Sequence, residues 1–426
     1  MMSILLLGTI IFAIVLFIYS LVSHRIEGSM VTAPIIFVAI GILVSPEGLD
    51  IVPLVGAYSE LVLVFSEIAL VLILFSDAAR IDFHKLKGNR SLPSRLLGIG
   101  LPLTIFLGAF IAILCFTDIA LPEAALIGAI LAPTDAGLGQ VIVNSPLVPG
   151  RIRQALNVES GLNDGGAIPF FALFLILANA EEFNISASQW VIFACQQIGW
   201  GVIVGLIVGL AGGYLVNMAV DKGLMRGRFQ WIGFLSLAVI SYVAAVSLGG
   251  SGFIAAFVGG FATTLTGRAV GESIIEFTST GGEIFSLAVF FIFGILAASI
   301  IPGITPAVIL YAVLSLTLIR IVPVALSLMK TGLQTDSVLF IGWFGPRGLA
   351  SIVLLLITLN ESPGIPGLET IAAVVTTTVL ISVFAHGISA NPATAWYAGK
   401  MASLPADAPE LIEVVEPPTR TRMIAK

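Results

Sequence analysis

Long stretches without a charged side chain constrain this chain more than any other feature. Residues 183–220, 229–267 and 284–319 contain no Asp, Glu, Lys or Arg. A helix needs about 20 mostly apolar residues to cross a bilayer, so these stretches hold one crossing or two. Only 10% of the 426 residues are charged, whereas a soluble globular domain has about 25%. The composition therefore predicts a polytopic membrane protein.

Apolar segments along the chain predict an all-α fold of thirteen transmembrane helices, numbered here as segments 1 to 13. They cover about residues 3–23, 30–45, 58–78, 94–117, 121–145, 150–178, 188–220, 229–248, 250–267, 282–300, 304–329, 337–359 and 368–390. Gly-Gly-Ser-Gly at 249–252 divides one uncharged stretch into segments 8 and 9. The first segment is long and has no basic region before it, so we expect a retained span rather than a cleaved signal.

The basic residues test this arrangement independently. Those outside the segments follow segments 1, 3, 5, 7, 9, 11 and 13, and the loops on the opposite side contain neither Lys nor Arg. Basic loops stay in the cytoplasm, so we expect the N-terminus outside and the C-terminus inside the cell (inner) membrane. Residues 1–399 are predicted to form the transmembrane domain. Residues 400–426, rich in Pro, Ala and Glu, are predicted to be a short disordered cytoplasmic tail.

Charged residues lie inside several predicted spans. Arg320 and Arg347 lie in segments 11 and 12, Asp135 in segment 5, and Glu159 and Asp164 in segment 6. One such charge costs about 2.5 to 3.5 kcal/mol at a helix centre. A purely structural explanation is that these charges form ion pairs that hold the helix bundle together. Ion pairing alone does not require more carboxylates than arginines, yet the cluster has three carboxylates and two arginines. The cluster therefore indicates a functional site.

Segment 6 gathers its polar residues on one face. At about 100° per residue, the four side chains Glu159, Ser160, Asn163 and Asp164 lie within an arc of roughly 140°. This face offers oxygen ligands and one amide, which suit a hard cation stripped of water. It lacks the thiols and paired imidazoles of a zinc site. Pro169 cannot donate a helical hydrogen bond and is expected to loosen the helix just beyond the acids.

Segments 5 and 12 carry helix-breaking motifs. Pro133 precedes Asp135 in LAPTDAG, and Pro346 precedes Arg347 in WFGPRGLAS, between two glycines. If segment 7 is a linker, segments 1–6 and 8–13 form two inverted six-helix repeats, in which segments 5 and 12 are equivalent. Interrupted helices at matching positions indicate the binding site of a secondary transporter. The Asp and the Arg at the breaks would partly offset the half-helix dipoles.

The motifs PTDA, ESGLND, LIR ending at Arg320 and GPRG resemble those of the NhaP and NHE type sodium/proton antiporters, the first family of monovalent cation:proton antiporters. The resemblance extends from segment 1 to segment 13. It implies the antiporter fold, with core helices that include two crossed discontinuous helices, and a separate dimerisation panel. It also implies a homodimer with a role in pH homeostasis. No cofactor beyond the transported ions and no nucleic-acid partner are expected.

The resemblance also implies roles for individual residues. Asp164 resembles the carboxylate that takes either the cation or protons, and Asn163 the asparagine of the branch whose exchange is electroneutral. Ser160, Asp135 and the backbone carbonyl of Thr134 resemble further cation ligands. 

A second group of residues resembles the supporting parts of the site. Glu159 resembles the acid that pairs with the segment-11 arginine, here Arg320, and Arg347 resembles the arginine of the second broken helix. The chain departs from the family where Ala136 replaces a proline. Pro133 is then expected to supply the break from the other side.

Together these observations predict a cation/proton antiporter. Removal from water favours the neutral form of the Asp164 carboxyl group and a bound cation favours its charged form, so Na⁺ or Li⁺ would compete with H⁺. Potassium is the alternative cation. A cation channel could use the same acids without a site closed to one side at a time. An intramembrane aspartyl protease could use Asp135 and Asp164, but LNDGG lacks the Gly-x-Gly-Asp arrangement of that class, so no enzyme is expected.

Five other side chains receive less specific interpretations. Glu67 in segment 3 is a further acid whose partner the sequence does not identify. His386 is interpreted as interfacial, near the inner end of segment 13, and His84 as a solvated loop histidine. Cys115 and Cys195 lie in segments 4 and 7, so no disulfide between them is expected.

Overall fold

A computed structural model describes residues 2–26, 29–52, 60–80, 91–135, 137–179, 187–225, 228–266, 272–405, 407–412 and 414. This part of the chain is helical and contains no β-strand. We label each helix by the predicted segment in which it lies. The helices are α1 (Met2–Ile26), α2 (Ala33–Val44), α3 (Glu60–Arg80), α4a (Ser91–Arg95), α4b (Leu101–Cys115), α5a (Leu121–Ile130), α5b (Gln140–Val143), α6 (Gly150–Ala178), α7 (Ala187–Asp221), α8 (Arg228–Ser247), α9 (Gly252–Thr264), α10 (Glu272–Ile300), α11a (Pro306–Leu316), α11b (Leu318–Ser327), α12a (Thr335–Trp343), α12b (Leu349–Glu361) and α13 (Leu368–Met401).

The described helices confirm an all-α polytopic membrane protein. Among the described residues, nine helices are long and apolar enough to cross a membrane, and α2, α5a, α9 and α12b are shorter apolar helices. Large apolar side chains such as Phe17, Phe110 and Ile207 point outward and are about 60% exposed, as expected of surfaces that face lipid. The number of helices that cross the membrane, thirteen, stays a prediction.

Segments 5 and 12 are interrupted where the sequence predicted breaks. Residues 131–139 separate α5a from α5b, and residues 344–348 separate α12a from α12b. Two further irregularities were not predicted. A π-helical turn, Leu96–Gly100, joins α4a to α4b just before Pro102, and α11 is interrupted at Thr317, whose backbone is not helical (φ −113°, ψ −91°).

The helices pack in two groups, which meet through α6 and through direct contacts of α3, α10 and α2 with α12b and α13. Helices α2, α3, α7, α8, α9 and α10 contact one another, as do α4, α5, α11, α12 and α13, and α6 contacts members of both groups. Close approach depends on glycine at the α2–α10 contact. A Cβ atom on Gly41 would lie 2.9 Å from the Cα atom of Gly294 and closer still to the carbonyl oxygen of Phe291. No larger residue fits there.

The start of the predicted tail is ordered in the described residues. Pro409–Leu411 form a 3₁₀ turn. The carboxylate of Glu410, fully buried, accepts hydrogen bonds from the backbone N–H of Gln334 (2.6 Å) and the hydroxyl of Ser337 (2.9 Å) at the start of α12a. Arg151 at the start of α6 donates to the carbonyl of Pro409 (2.5 Å). The prediction of disorder is therefore wrong for these residues, because a buried carboxylate caps a helix N-terminus there.

Candidate functional site

The two helix breaks meet directly. The backbone N–H of Asp135 donates to the carbonyl of Pro346 (2.7 Å). The hydroxyl of Ser351, in the first turn of α12b, donates to the carbonyl of Ile130, the last residue of α5a (2.7 Å). Irregular backbone at membrane depth must find partners inside the protein, and here each break supplies partners for the other.

The carboxylate of Asp135 binds backbone N–H groups on both broken helices. One oxygen accepts from Gly137 (2.6 Å) and Leu138 (3.2 Å) on its own segment. The other accepts from Leu349 (2.8 Å), the first residue of α12b. A helix N-terminus carries partial positive charge, so this carboxylate offsets the dipole of α12b.

Arg347 makes the reciprocal contact. Its guanidinium, fully buried, donates to the carbonyl of Ala132 and to that of Pro133 (3.1 Å), just beyond the C-terminus of α5a. A helix C-terminus carries partial negative charge, which a cation offsets. Each break therefore supplies the charge that compensates the other broken helix, as the opposite charges at the two motifs predicted.

The two glycines of GPRG make room for charged side chains from other segments. A Cβ atom on Gly348 would lie 2.8 Å from the Cβ and Cγ atoms of Asp135, and nearer still to one carboxylate oxygen. A Cβ atom on Gly345 would lie 2.9 Å from Cζ of Arg320 and nearer to its Nε. The motif is thus explained by contacts that any larger residue would prevent.

Glu159 and Arg320 form a two-point ion pair. The two guanidinium nitrogens of Arg320 lie 2.5 and 2.8 Å from the two carboxylate oxygens of Glu159, and each residue is only 3% exposed. Such fork-to-fork geometry is among the stronger charge-assisted interactions. Both charges of the pair are therefore committed to each other.

The polar face of α6 lies against the break of segment 5. The side-chain amide of Asn163, 1% exposed, donates to the hydroxyl of Thr134 (2.5 Å). The hydroxyl of Ser160 donates to the carbonyl of Leu156 one turn earlier (2.9 Å). Asp164, the next residue after Asn163, is half-buried.

A small cavity of about 10 Å³ lies where these elements converge. This is close to the space that one water molecule requires. It is lined by Thr134, Asp135, Gly139, Ile142, Val143, Leu156, Ser160, Phe344 and Pro346. The structure thus places Thr134, Asp135 and Ser160 on one cavity, and Asn163 bonds to its Thr134 wall. Asp164 is not among the lining residues.

A further acidic residue, not predicted as part of the site, lies beside α6. Asp77 of α3 is 6% exposed, and its carboxylate is 3.4 Å from the guanidinium of Arg80. Its Cβ atom lies 3.6 Å from the position that a Cβ on Gly161 of α6 would take. Its position could have identified it from the sequence, because Asp77 is an acidic residue inside predicted segment 3. Arg80, which lies just beyond predicted segment 3, is the last residue of α3.

Other predicted residues lie elsewhere. Glu67 hydrogen-bonds to Tyr242 and borders a separate cavity of about 810 Å³, together with Glu361. His386 is 1% exposed within α13, which continues to Met401, so its interfacial interpretation is wrong. Cys115 and Cys195 are free thiols. Ala136 and His84 lie outside the described residues.

Comparison with known proteins decides the family. Residues 11–396 match the family described as "Sodium/hydrogen exchanger, transmembrane". The chain belongs to this family. Among curated relatives, the K(+)/H(+) antiporter NhaP2 of Shewanella sp. (strain MR-4) is 26% identical over 368 residues, covering 84% of this chain and 61% of the relative. The K(+)/H(+) antiporter NhaP of Alkalimonas amylolytica is 26% identical over 424 residues, covering 96% and 71%.

A solved structure shows the same fold. The sodium proton antiporter MjNhaP1 from Methanocaldococcus jannaschii at pH 8 superposes with a TM-score of 0.75, at 21% identity, over 94% of this chain and 100% of that one. This exchanger chain therefore has the NhaP-type antiporter fold that its motifs implied. It spans only 61% of the length of the Shewanella relative.

Proposed function

We propose that this exchanger-family protein is a secondary active transporter that exchanges a monovalent cation for protons across a membrane. One observation carries the proposal: two broken helices meet in the interior, with their dipoles compensated by Asp135 and Arg347, beside a polar helix face. Such crossed breaks at membrane depth are the arrangement by which transporters hold dehydrated ions.

Asp164 is proposed as the carboxylate at which cation and proton compete. Both oxygens of Glu159 are bound by Arg320, and both oxygens of Asp135 accept from backbone N–H groups. Protonating either acid would break several charge-assisted hydrogen bonds at once. Asp164 is on the same helix face, and its neighbour Asn163 contacts the wall of the small cavity through Thr134.

Sodium, with lithium, is the first proposed cation. Ser160, Thr134 and Asp135 would provide its remaining oxygen ligands, together with Asp164, and Asn163 is proposed to help orient them. Potassium is the second candidate, because the curated relatives at 26% identity are named K(+)/H(+) antiporters. The exchange is proposed to be electroneutral and to need no cofactor.

The setting of the protein is proposed from its loops and its family. The basic loops support a C-terminus in the cytoplasm and an N-terminus outside a cell (inner) membrane. A homodimer and a role in pH homeostasis follow from the resemblance to the antiporter family.

Proton flux in reconstituted vesicles tests the proposal. The purified protein is placed in vesicles that contain a pH-sensitive dye, and Na⁺, Li⁺ or K⁺ gradients are imposed at several pH values. We expect the cation gradient to drive proton movement in the wild type and Asp164→Asn to abolish it. Electroneutral exchange should proceed at the same rate whether or not valinomycin and K⁺ clamp the membrane potential.

The matched control is Asp221→Asn, the same change at the exposed end of α7. It should leave the flux unchanged. Undiminished exchange by Asp164→Asn would remove Asp164 from the mechanism. Cation flux that continues without counter-transported protons would favour a channel instead.

A further inference from the structure

The break in segment 12 separates one donor and one acceptor that a continuous helix would pair. In an α-helix the carbonyl of residue 343 accepts from the N–H of residue 347. Here Phe344 has the angles of an inverse γ-turn (φ −83°, ψ 59°), and the carbonyl of Trp343 accepts from Gly345 (2.9 Å). The N–H of Arg347 points to α13 and donates to the hydroxyl of Ser382 (2.6 Å).

Two side chains of α13 reconnect this separated pair. Nδ1 of His386 is 3.1 Å from the hydroxyl oxygen of Ser382, and Nε2 is 2.8 Å from the carbonyl oxygen of Trp343. With the proton on Nε2, every donor meets an acceptor. The Arg347 N–H donates to Ser382, the Ser382 hydroxyl donates to Nδ1, and Nε2–H donates to the Trp343 carbonyl.

The neutral imidazole fits this chain of hydrogen bonds. If Nδ1 carried the proton, it would donate to the Ser382 carbonyl oxygen, which is 2.9 Å away, and the Ser382 hydroxyl would lose its acceptor. Burial also opposes a positive charge on this ring, because His386 is only 1% exposed.

Packing holds the imidazole in this orientation. Ser382 and His386 are four residues apart on one helix, so they share a face, and both are at most 1% exposed. The His386 ring lies 5.0 Å from the Trp343 ring and 6.4 Å from that of Phe344. The indole of Trp343 separately donates to Ser389 (3.0 Å).

We infer that Ser382 and His386 form a side-chain splint across the break of segment 12 and are positioning residues for the ion site. Arg347, at one end of the splint, and Pro346, next to it, bind segment 5 through the carbonyls of Ala132 and Pro133 and the Asp135 N–H. A change in the splint therefore moves the wall of the small cavity without removing any proposed ligand. This role rests on the proposed exchange.

The test is the cation KM and maximal rate of vesicle exchange at fixed pH. His386→Leu keeps much of the volume but leaves the Trp343 carbonyl and the Ser382 hydroxyl without their side-chain partner. We expect it to raise the cation KM about tenfold or more, equivalent to about 1.4 kcal/mol, with a smaller change in maximal rate. His386→Gln can both accept from Ser382 and donate to Trp343, so it should restore most of the affinity. Ser382→Ala should raise KM as well, and the double variant Ser382→Ala/His386→Leu should be no worse than the poorer single variant.

Two controls separate the splint from general packing. Thr378→Val removes a buried α13 hydroxyl that bonds only to its own helix, at Val374. Ser389→Ala removes the other polar contact between α13 and Trp343. Both should keep the wild-type KM.

An unchanged KM for His386→Leu, a Gln variant as impaired as Leu, or additive effects in the double variant would each overturn the splint. If His386→Leu does not fold, Ser382→Ala against Thr378→Val decides the question by the same measurement. A wild type without cation-driven proton flux would instead overturn the proposed function, so the two failures are distinguishable.

Discussion

Gly348→Ala tests the contact between the two helix breaks most directly. A methyl group at this position would lie 2.8 Å from the Cβ and Cγ atoms of Asp135. Carbon atoms in contact are about 3.5 to 4.0 Å apart, so Asp135 must retreat by about 1 Å. The 2.8 Å hydrogen bond from the Leu349 N–H to Asp135 would then be lost, since it comes from the residue that follows Gly348.

The size of the effect follows from that bond. A hydrogen bond to a charged group contributes about 1.5 to 3 kcal/mol, which corresponds to roughly a ten- to hundredfold change in an equilibrium constant. We expect Gly348→Ala to lower cation-driven proton flux by at least about tenfold and to lower the midpoint of thermal unfolding in detergent. Flux is measured in vesicles and unfolding by tryptophan fluorescence.

Gly399→Ala is the matched control. Gly399 lies in α13, where an added Cβ would have no atom within 4 Å. Alanine in an open helical position stabilises by about 0.5 to 1 kcal/mol, so this variant should keep its flux and unfold no earlier. If Gly348→Ala also kept wild-type flux and thermal midpoint, the close contact between the breaks would not be needed, and the explanation of GPRG would be wrong.

Three further predictions concern individual contacts. Glu159→Gln leaves the Arg320 guanidinium buried without its counter-charge, which costs about 3 to 5 kcal/mol, so its thermal midpoint should fall well below that of the exposed control Glu369→Gln. Ser351→Ala leaves the Ile130 carbonyl without its 2.7 Å donor and should weaken exchange by a few-fold, about 1 kcal/mol, whereas Thr358→Val, which removes a hydroxyl bonded within α12b, should not. Glu410→Ala uncaps α12a and should speed proteolysis of the C-terminal segment, whereas Asp407→Ala, at an exposed position in the same segment, should not; equal rates would show that the buried carboxylate does not hold the tail.

The features that follow from composition and periodicity could be predicted from the sequence. The breaks in segments 5 and 12 were predictable, because Pro and Gly close together weaken a helix and charges at membrane depth need partners. The resemblance to the antiporter family, rather than composition, implied the pair of Glu159 and Arg320, which the structure shows at 2.5 Å.

Features set by long-range packing could not be predicted in this way. Nothing local marks Glu410 as buried, because its partners lie 73 and 76 residues away along the chain. His386 looked interfacial because α13 was expected to end at residue 390, eleven residues before its observed end at Met401. The interruption of α11 at Thr317 could not be predicted, because neither proline nor glycine is next to that residue.

The motif GPRG shows how local sequence and distant contacts combine. Its arginine binds the C-terminal end of α5a. Its two glycines leave space for the side chains of Arg320 and Asp135, which come from elsewhere in the chain. A glycine that makes room for a charge cannot be distinguished by sequence from one that only bends the backbone. The distinction matters for mutagenesis: a residue that only bends should tolerate a substitution that preserves the bend, whereas Gly345 and Gly348 should tolerate none, because the space itself is occupied.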